Sequence, residues 1–397
     1  MSELDRFRSE TREWFEANCP ESMRSVGRSE DMVVPGRNQV FPSEDAKVWF
    51  ERMRDKGWTC PDYPAKYGGG GLDVARTKIL REEMQMLKCR VPLSDIGISM
   101  LGPALLEFGN DAQKDEHIPR LVRGEARWCQ GYSEPGAGSD LAGLQCRAEL
   151  EGDHFVVNGT KIWTSFATEA DWIFCLVRTD TEAPKHDGIS FLLIDMESLG
   201  ITVTPIQLIS GESEFCQVFF EDVKVPVGNV VSGINKGWAV AKGLLRHERK
   251  MMAELGQEFI GSQLTLRQVA ADFLGNNPEG RLKEPDLRAA IAAHEMNMRA
   301  IGLTSYRDHL EGLAGNGDSR IAMIMKYVST SEVQVKDELM AELLGYRGLG
   351  WNDDFFDENE LKSSRALLFN KALTIAGGTN EVQLNIIAKH ALNLPGG

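Results

Sequence analysis

The chain has 397 residues, a formal net charge of −15, and 42% hydrophobic against 26% charged residues. That length has room for two or three domains and a large core. The acidic balance argues against a nucleic-acid or anionic-membrane partner, since both need a basic face.

The N-terminus, MSELDRFRSETREWFEANC, is charged from residue 3 and lacks the apolar core of a secretory signal. It reads as an amphipathic helix with Leu4, Phe7, Thr11, Trp14 and Phe15 at helical spacing. No stretch reaches the roughly 20 apolar residues that span a bilayer, so a cytoplasmic chain without membrane partners is expected. SEDAKVWFERMRDKGW (43–58) and VARTKILREEMQMLKC (74–89) continue the helical pattern to about residue 125. Between them, YPAKYGGGGLD is a glycine-rich turn with no following Gly-Lys-Ser/Thr, hence no phosphate-binding P-loop.

Next comes WCQGYSEPGAGSDLAG (128–143). Its glycines, Gly136, Gly138 and Gly143, have the wrong spacing for G-x-G-x-x-G, and G-x-S-x-G is absent, so neither a dinucleotide fold nor a serine hydrolase is supported. Free backbone N–H groups, the hydroxyls of Ser133 and Ser139 and the acids Glu134 and Asp140 remain. Such a loop either hydrogen-bonds the polar edge of a heterocycle or is an ordinary turn. From about 126 to 232 the period becomes two. HFVVNGTKIW places Asn158-Gly159 between alternating runs, which predicts a hairpin there. DWIFCLVRTD, GISFLLIDM, ITVTPIQL and CQVFFEDVKVP extend the strands into an antiparallel barrel or sandwich.

From Gly237 the chain is helical again. Residues 237–275 form one long periodic segment, followed by stretches at 285–314 and 317–345 and, after the acidic WNDDFFDENE, by SSRALLFNKALTIAGGTNEVQLNIIAKHAL. The expected fold class is α+β with three domains: helical (1–125), β (126–232) and helical bundle (233–397). Seven scattered cysteines without C-x-x-C, and seven histidines without H-x-x-x-H, predict reduced thiols and no metal centre.

Three stretches in this order, SEPGAGSD, NGTKIWTS and IAGGTNEVQLNIIAKH, resemble the acyl-CoA dehydrogenase flavoprotein family, as do the YPAKYGGGGLD turn and the helix–β–helix plan. The resemblance covers essentially the whole chain. It implies bound FAD, an acyl-CoA substrate, α,β-dehydrogenation to the trans-2-enoyl-CoA in acyl-chain catabolism such as β-oxidation, and an electron-transferring flavoprotein as acceptor. It further implies that Gln130, Gly131, Tyr132 and Ser133 face the isoalloxazine, with Gly138 also at the cofactor and Ser139 near the CoA portion. Trp163 packs beside the flavin, followed by Thr164, with Ser165 at N5. Gly378, Thr379 and Glu381 meet flavin and adenosine, and the Gly377 N–H and Arg249 meet the substrate.

Abstraction of an α-proton needs a carboxylate whose pKa burial has raised. The family places it either before the Gly-Thr of the C-terminal motif, where this chain has Gly377, or on the helix after the β-domain. There LLRHERK offers Glu248. Independently, Glu248 lies on a stripe of Ala241, Leu244, Leu245, Met251, Met252 and Leu255, where an acid is either ion-paired, for example with Arg249, or functional. Glu381 is the weaker rival. The implied reaction pairs proton removal by Glu248 with hydride transfer to flavin N5.

Departures concern the cofactor's pyrophosphate. Family members usually carry an arginine near Ala271; Glu342 stands where glutamine is common, Arg347 is an added cation, and Leu384 replaces an arginine. The implied assembly is a dimer of dimers, homo- or hetero-oligomeric. Two alternatives remain: a flavin-poor, non-catalytic subunit of a hetero-oligomer, or an oxidase or monooxygenase on the same fold.

Overall fold

The computed structural model describes residues 2–25, 32–258, 265–313, 316, 319–352 and 355–395; the side chains of 248–258, 309, 313, 319 and 322 lie outside that description. The chain divides into two compact units, residues 1–206 with 214–262, and residues 207–213 with 263–397.

In the first unit, α1 (Glu3–Asn18) starts at a capping box between Ser2 and Asp5 and buries Thr11 and Phe15. It packs on α3 (Val74–Met86), where Arg8 and Arg12 each reach the fully buried Glu83 at 2.7 Å. Two guanidiniums hold the Glu83 carboxyl below the usual carboxylate range, Arg12 contributing most. α2 (Glu44–Asp55) adds Trp49 and Phe50 to the same core. α4 (Gly102–Phe108) and α5 (Asp111–Val122) complete the helices before the sheet. A π-helical turn, Gly97–Leu101, leads into α4.

The strands are β1 (Trp128–Gly131), β2 (Arg147–Glu151), β3 (His154–Ser165), β4 (Trp172–Arg178), β5 (Ile189–Asp195), β6 (Ile201–Pro205) and β7 (Phe215–Pro226). They form a seven-stranded sheet ordered β1-β4-β2-β3-β7-β6, with β5 paired to β4. Most pairs are antiparallel, but β1 runs parallel to β4, so the sheet is mixed. Every residue of β4 is buried. One of its faces carries Phe174 and Leu176 into a core shared with Leu105, Leu121 and Leu244; the other carries Ile173, Cys175 and Val177 against Phe155, Val157 and Val218.

The expected Asn158-Gly159 hairpin does not form. β3 runs through it, and the turn falls earlier, at Gly152-Asp153, with Glu151 paired to His154. Asn158 instead faces a bulge in β7, where Glu221 and Asp222 (φ 52°) stand opposite it. Asn158 exchanges two hydrogen bonds with Asp222. Gly159 has φ +148°, and a Cβ there would stand 2.6 Å from Cys146 Cα. The Gly-Asp pair supplies the positive φ that a two-residue hairpin needs, at Gly152 (φ 64°).

α6 (Gly237–Glu258) buries Val240, Ala241 and Leu244 and packs against β5, α4 and the π-helical turn. The predicted segment 237–275 holds two helices. Thr265 caps a new one, α7 (Leu266–Leu274), in a capping box with Gln268.

The second unit contains α7, α8 (Pro285–Leu313), α9 (Ser319–Leu344), α10 (Glu358–Phe369) and α11 (Asn380–Ile386) around Leu266, Val269, Leu287, Ile291, Leu339 and Leu343. Across the α8–α9 contact, His294 Nδ1 lies 2.8 Å from Glu332 Oε2. Among the described residues no helix is long and apolar enough to cross a membrane and no metal-binding cluster occurs. All seven cysteines are buried thiols.

Candidate active site

The loop that leaves β1 is fastened from below by buried charges. Glu134 is buried; its Oε2 accepts the Gln145 N–H at 2.6 Å and its Oε1 the Cys146 N–H at 2.9 Å. The fully buried Lys161 donates to the same Oε1 at 2.7 Å and to the Tyr132 carbonyl at 3.1 Å. Burial opposes the Lys161 charge, yet Cys175, Cys146 and Glu134 outweigh it and hold its pKa above the ordinary value. Arg178, also buried, donates to the carbonyls of Ala142 and Lys185 at 2.6 and 2.7 Å, binding the far end of the loop. Removing one partner of such a pair costs about 3–5 kcal/mol.

With its base fixed, the loop presents its tip outward. Gly138 and Ser139 are exposed, and Gln130 and Ser133 are half-buried. Nothing stands within 4 Å of a Cβ built at Gly136 or Gly138, so the backbone there is open to a ligand. Gly131 is different: a Cβ would meet Ile173 Cδ1 at 2.8 Å, so its glycine is demanded by packing. The Tyr132 ring is buried edge-on to Phe174 and Phe191.

β3 is joined to this loop by the Ile162 N–H donating to the Ser133 carbonyl at 2.9 Å. A second bulge follows, between Lys161 and Thr164. It puts Trp163 in the left-handed region, φ 61°, with the residue 54% exposed and its ring edge-on to Phe215. A bulky residue there is strained by about 1–3 kcal/mol, which is typical of functional positions. Ser165 is half-buried, while Thr164 is turned inward, its Oγ1 without a hydrogen-bond partner among the described residues. The structure thus brings Gln130–Ser139 and Trp163–Ser165 together.

The second unit carries Gly377, Gly378, Thr379 and Glu381. Gly377 and Gly378 have φ 65° and 93°, which favours glycine at both. Lys326 donates to the Gly378 carbonyl at 2.7 Å and Gln383 to that of Gly377 at 3.3 Å. Thr379 caps α11. Glu381 sits in the first turn of α11, where its own N–H and the Thr379 hydroxyl hold its carboxyl below the ordinary range. Arg347 is committed to the buried Glu360 through two hydrogen bonds.

Glu248 and Arg249 fall on α6, one turn beyond the buried Leu244; their side chains lie outside the described residues. Just before them, Arg246 and His247 reach Glu107 of α4, at 2.9 and 3.7 Å. The π-helical turn packed on α6 opens at Asp95. Burial pushes this carboxyl up to about 7, although it accepts the N–H groups of Gly97 and Trp128.

Models of the acyl-CoA dehydrogenase N-terminal, middle and C-terminal domains match residues 1–125, 129–223 and 235–392. The chain belongs to the acyl-CoA dehydrogenase family. These are FAD-dependent oxidoreductases. Among its relatives, acyl-CoA dehydrogenase IpdE1 of Mycobacterium tuberculosis is 34% identical over 403 residues, covering 100% of this chain and 99% of the relative. Acyl-CoA dehydrogenase FadE34 of the same organism is 33% identical over 90% of this chain and 47% of the relative. Similar solved structures include the Tcur3481-Tcur3483 steroid ACAD, with TM-score 0.75, 29% identity and coverage of 99% and 98% of the two chains. The ChsE4-ChsE5 complex from Mycobacterium tuberculosis has TM-score 0.72 and 27% identity, covering 100% of this chain and 99% of that one.

Glu134, expected among the loop's free polar groups, is instead part of its buried support, together with Lys161 and Arg178. A signal was present for one of them: Lys161 is in phase with Phe155 and Val157 on the inward face of β3, where a charge has to be paired. Its partner, 27 residues earlier in a loop, left no such trace.

Proposed function

We propose that the chain is an FAD-dependent acyl-CoA dehydrogenase that forms the trans-2-enoyl-CoA, with Glu248 as the base. Trp163 carries this reading: a strained aromatic residue, exposed beside an open-backbone glycine loop, is a surface suited to a flat heterocycle. The hydroxyls of Ser133 and Ser165 and the loop amides fit its polar edge. FAD, when bound, supplies the acceptor for the substrate's β-hydride. The chain's own part is to bind and to take a proton. Arg249 and Ser139 meet the CoA portion, and Glu248 removes the α-proton. Glu381 is the poorer base, because its carboxyl is held low where a base needs to be raised.

The steroid ACAD neighbour supports a bulky, ring-bearing acyl group, and both solved neighbours named above carry paired names that support a hetero-oligomer. A second reading follows from the pyrophosphate end. Ala271 stands in the region where family members carry arginine, and Arg347 is bound to Glu360. A partner subunit then contributes the missing cation, and an electron-transferring flavoprotein accepts the electrons.

The test is anaerobic titration with a panel of acyl-CoA thioesters, from short straight chains to steroid side chains. Wild type is expected to lose its oxidised flavin colour with at least one of them. Glu248→Gln is expected to keep flavin and fold but to be reduced about 10²–10⁴-fold more slowly. Unchanged reduction by Glu248→Gln moves the base elsewhere.

A further inference from the structure

The proposed function gives Lys161 no task, yet it is a fully buried charge directly beneath the loop. Holding the loop does not require an ammonium: Glu134 already ties it through the Gln145 and Cys146 amides, and a well-packed apolar pair is often as stable as a buried ion pair. What the ammonium adds is its second hydrogen bond, to the Tyr132 carbonyl at 3.1 Å. The Tyr132 C=O and the Ser133 N–H are the two ends of one peptide group. A cation bound at the carbonyl end polarises that group and strengthens its N–H as a donor. The Ser133 carbonyl is occupied separately, by the Ile162 N–H.

We infer that Lys161 is a positioning residue that sets the electron affinity of the bound heterocycle through the Tyr132–Ser133 peptide, while Glu134 limits how much of its charge is felt. This rests on the proposed placing of Ser133 against the isoalloxazine. A stronger Ser133 donor favours the reduced, more electron-rich cofactor. Removing the cation and removing its counter-charge therefore move the reduction equilibrium in opposite directions. Simple loosening of the loop moves it one way for both.

The experiment uses the full chain loaded with FAD and reads the midpoint potential of the bound flavin. The variants are Glu134→Gln, Lys161→Met and the double variant. Comparing Glu134→Gln with the double variant removes the cation without leaving a buried carboxylate unpaired, so it stands even where Lys161→Met alone does not fold. The potential is expected to rise in Glu134→Gln and to fall in the double variant. The expected separation is at least about tenfold in the reduction equilibrium, about 30 mV for a two-electron couple. Equal potentials, or equal shifts of one sign, overturn the inference. In the flavin-free chain, the Ser133 amide proton is expected to move upfield when Lys161 is removed; an unmoved amide also overturns it. A chain that binds no FAD, alone or with a second chain of the family, but shows the amide shift supports the polarised peptide and overturns the proposed function instead.

Discussion

Trp163 concentrates the energetics of the site in one residue. Its left-handed backbone costs about 1–2 kcal/mol in a residue with a Cβ, and more than half of its surface faces solvent. The edge-on contact with Phe215 returns about 0.5–1.5 kcal/mol. Asparagine tolerates this backbone region and makes no such contact. Trp163→Asn is therefore expected to leave the stability of the flavin-free chain within about 1 kcal/mol of wild type while weakening FAD binding at least tenfold. Denaturant melts of the flavin-free chain, alongside fluorescence titration with FAD, check both halves. A large loss of stability with unchanged FAD affinity makes Trp163 a structural residue.

At the scale of elements, the π-helical turn Gly97–Leu101 is held at its start by Asp95, whose carboxyl burial raises to about 7 from an ordinary value near 3.9. The folded chain holds this proton more tightly than the unfolded chain does. The contribution to stability is therefore complete below about pH 4 and is lost as pH rises through about 7. Asp95→Asn keeps an acceptor for the Gly97 N–H and has no charge to bury. It is expected to flatten that decline and to stabilise the chain at pH 8 by roughly 2–4 kcal/mol, about 1.4 for each unit of the shift. Urea midpoints from pH 4 to 8 test this; parallel slopes for the two proteins refute it. The elements themselves were legible wherever one rule acted alone. Helical periodicity located α2 and α3, and alternation located β7. Legibility failed where two local signals competed. Asn158-Gly159 and Gly152-Asp153 both suit a hairpin, and only pairing with β7 and the approach of Cys146 decide between them. The helical period likewise ran on past Thr265, whose capping box with Gln268 is a shorter-range signal that starts α7. In the site, the loop and Trp163 were legible as motif residues, whereas the Lys161–Glu134 pair depends on a contact between distant segments.

For the whole molecule, a cofactor that binds only the folded chain adds stability by mass action, about 2.7 kcal/mol at a concentration 100 times its dissociation constant. On the proposed function, the chain purified alone is expected to carry flavin at about one per chain. Removing it is then expected to lower the melting temperature, and adding FAD back to restore it in a concentration-dependent way. On that reading Ala271 stands where the resemblance places an arginine, and Arg347 is engaged with the buried Glu360. The phosphate end of the cofactor is thus where affinity in the isolated chain is most exposed to loss. Two outcomes separate the readings. A coloured chain whose melting temperature follows FAD concentration supports a self-sufficient dehydrogenase. A colourless chain that FAD neither colours nor stabilises, but which gains flavin when co-expressed with a second chain of the same family, assigns the pyrophosphate contact to that partner. The first unit would then keep its flavin-facing loop and Trp163 while depending on another subunit for charge.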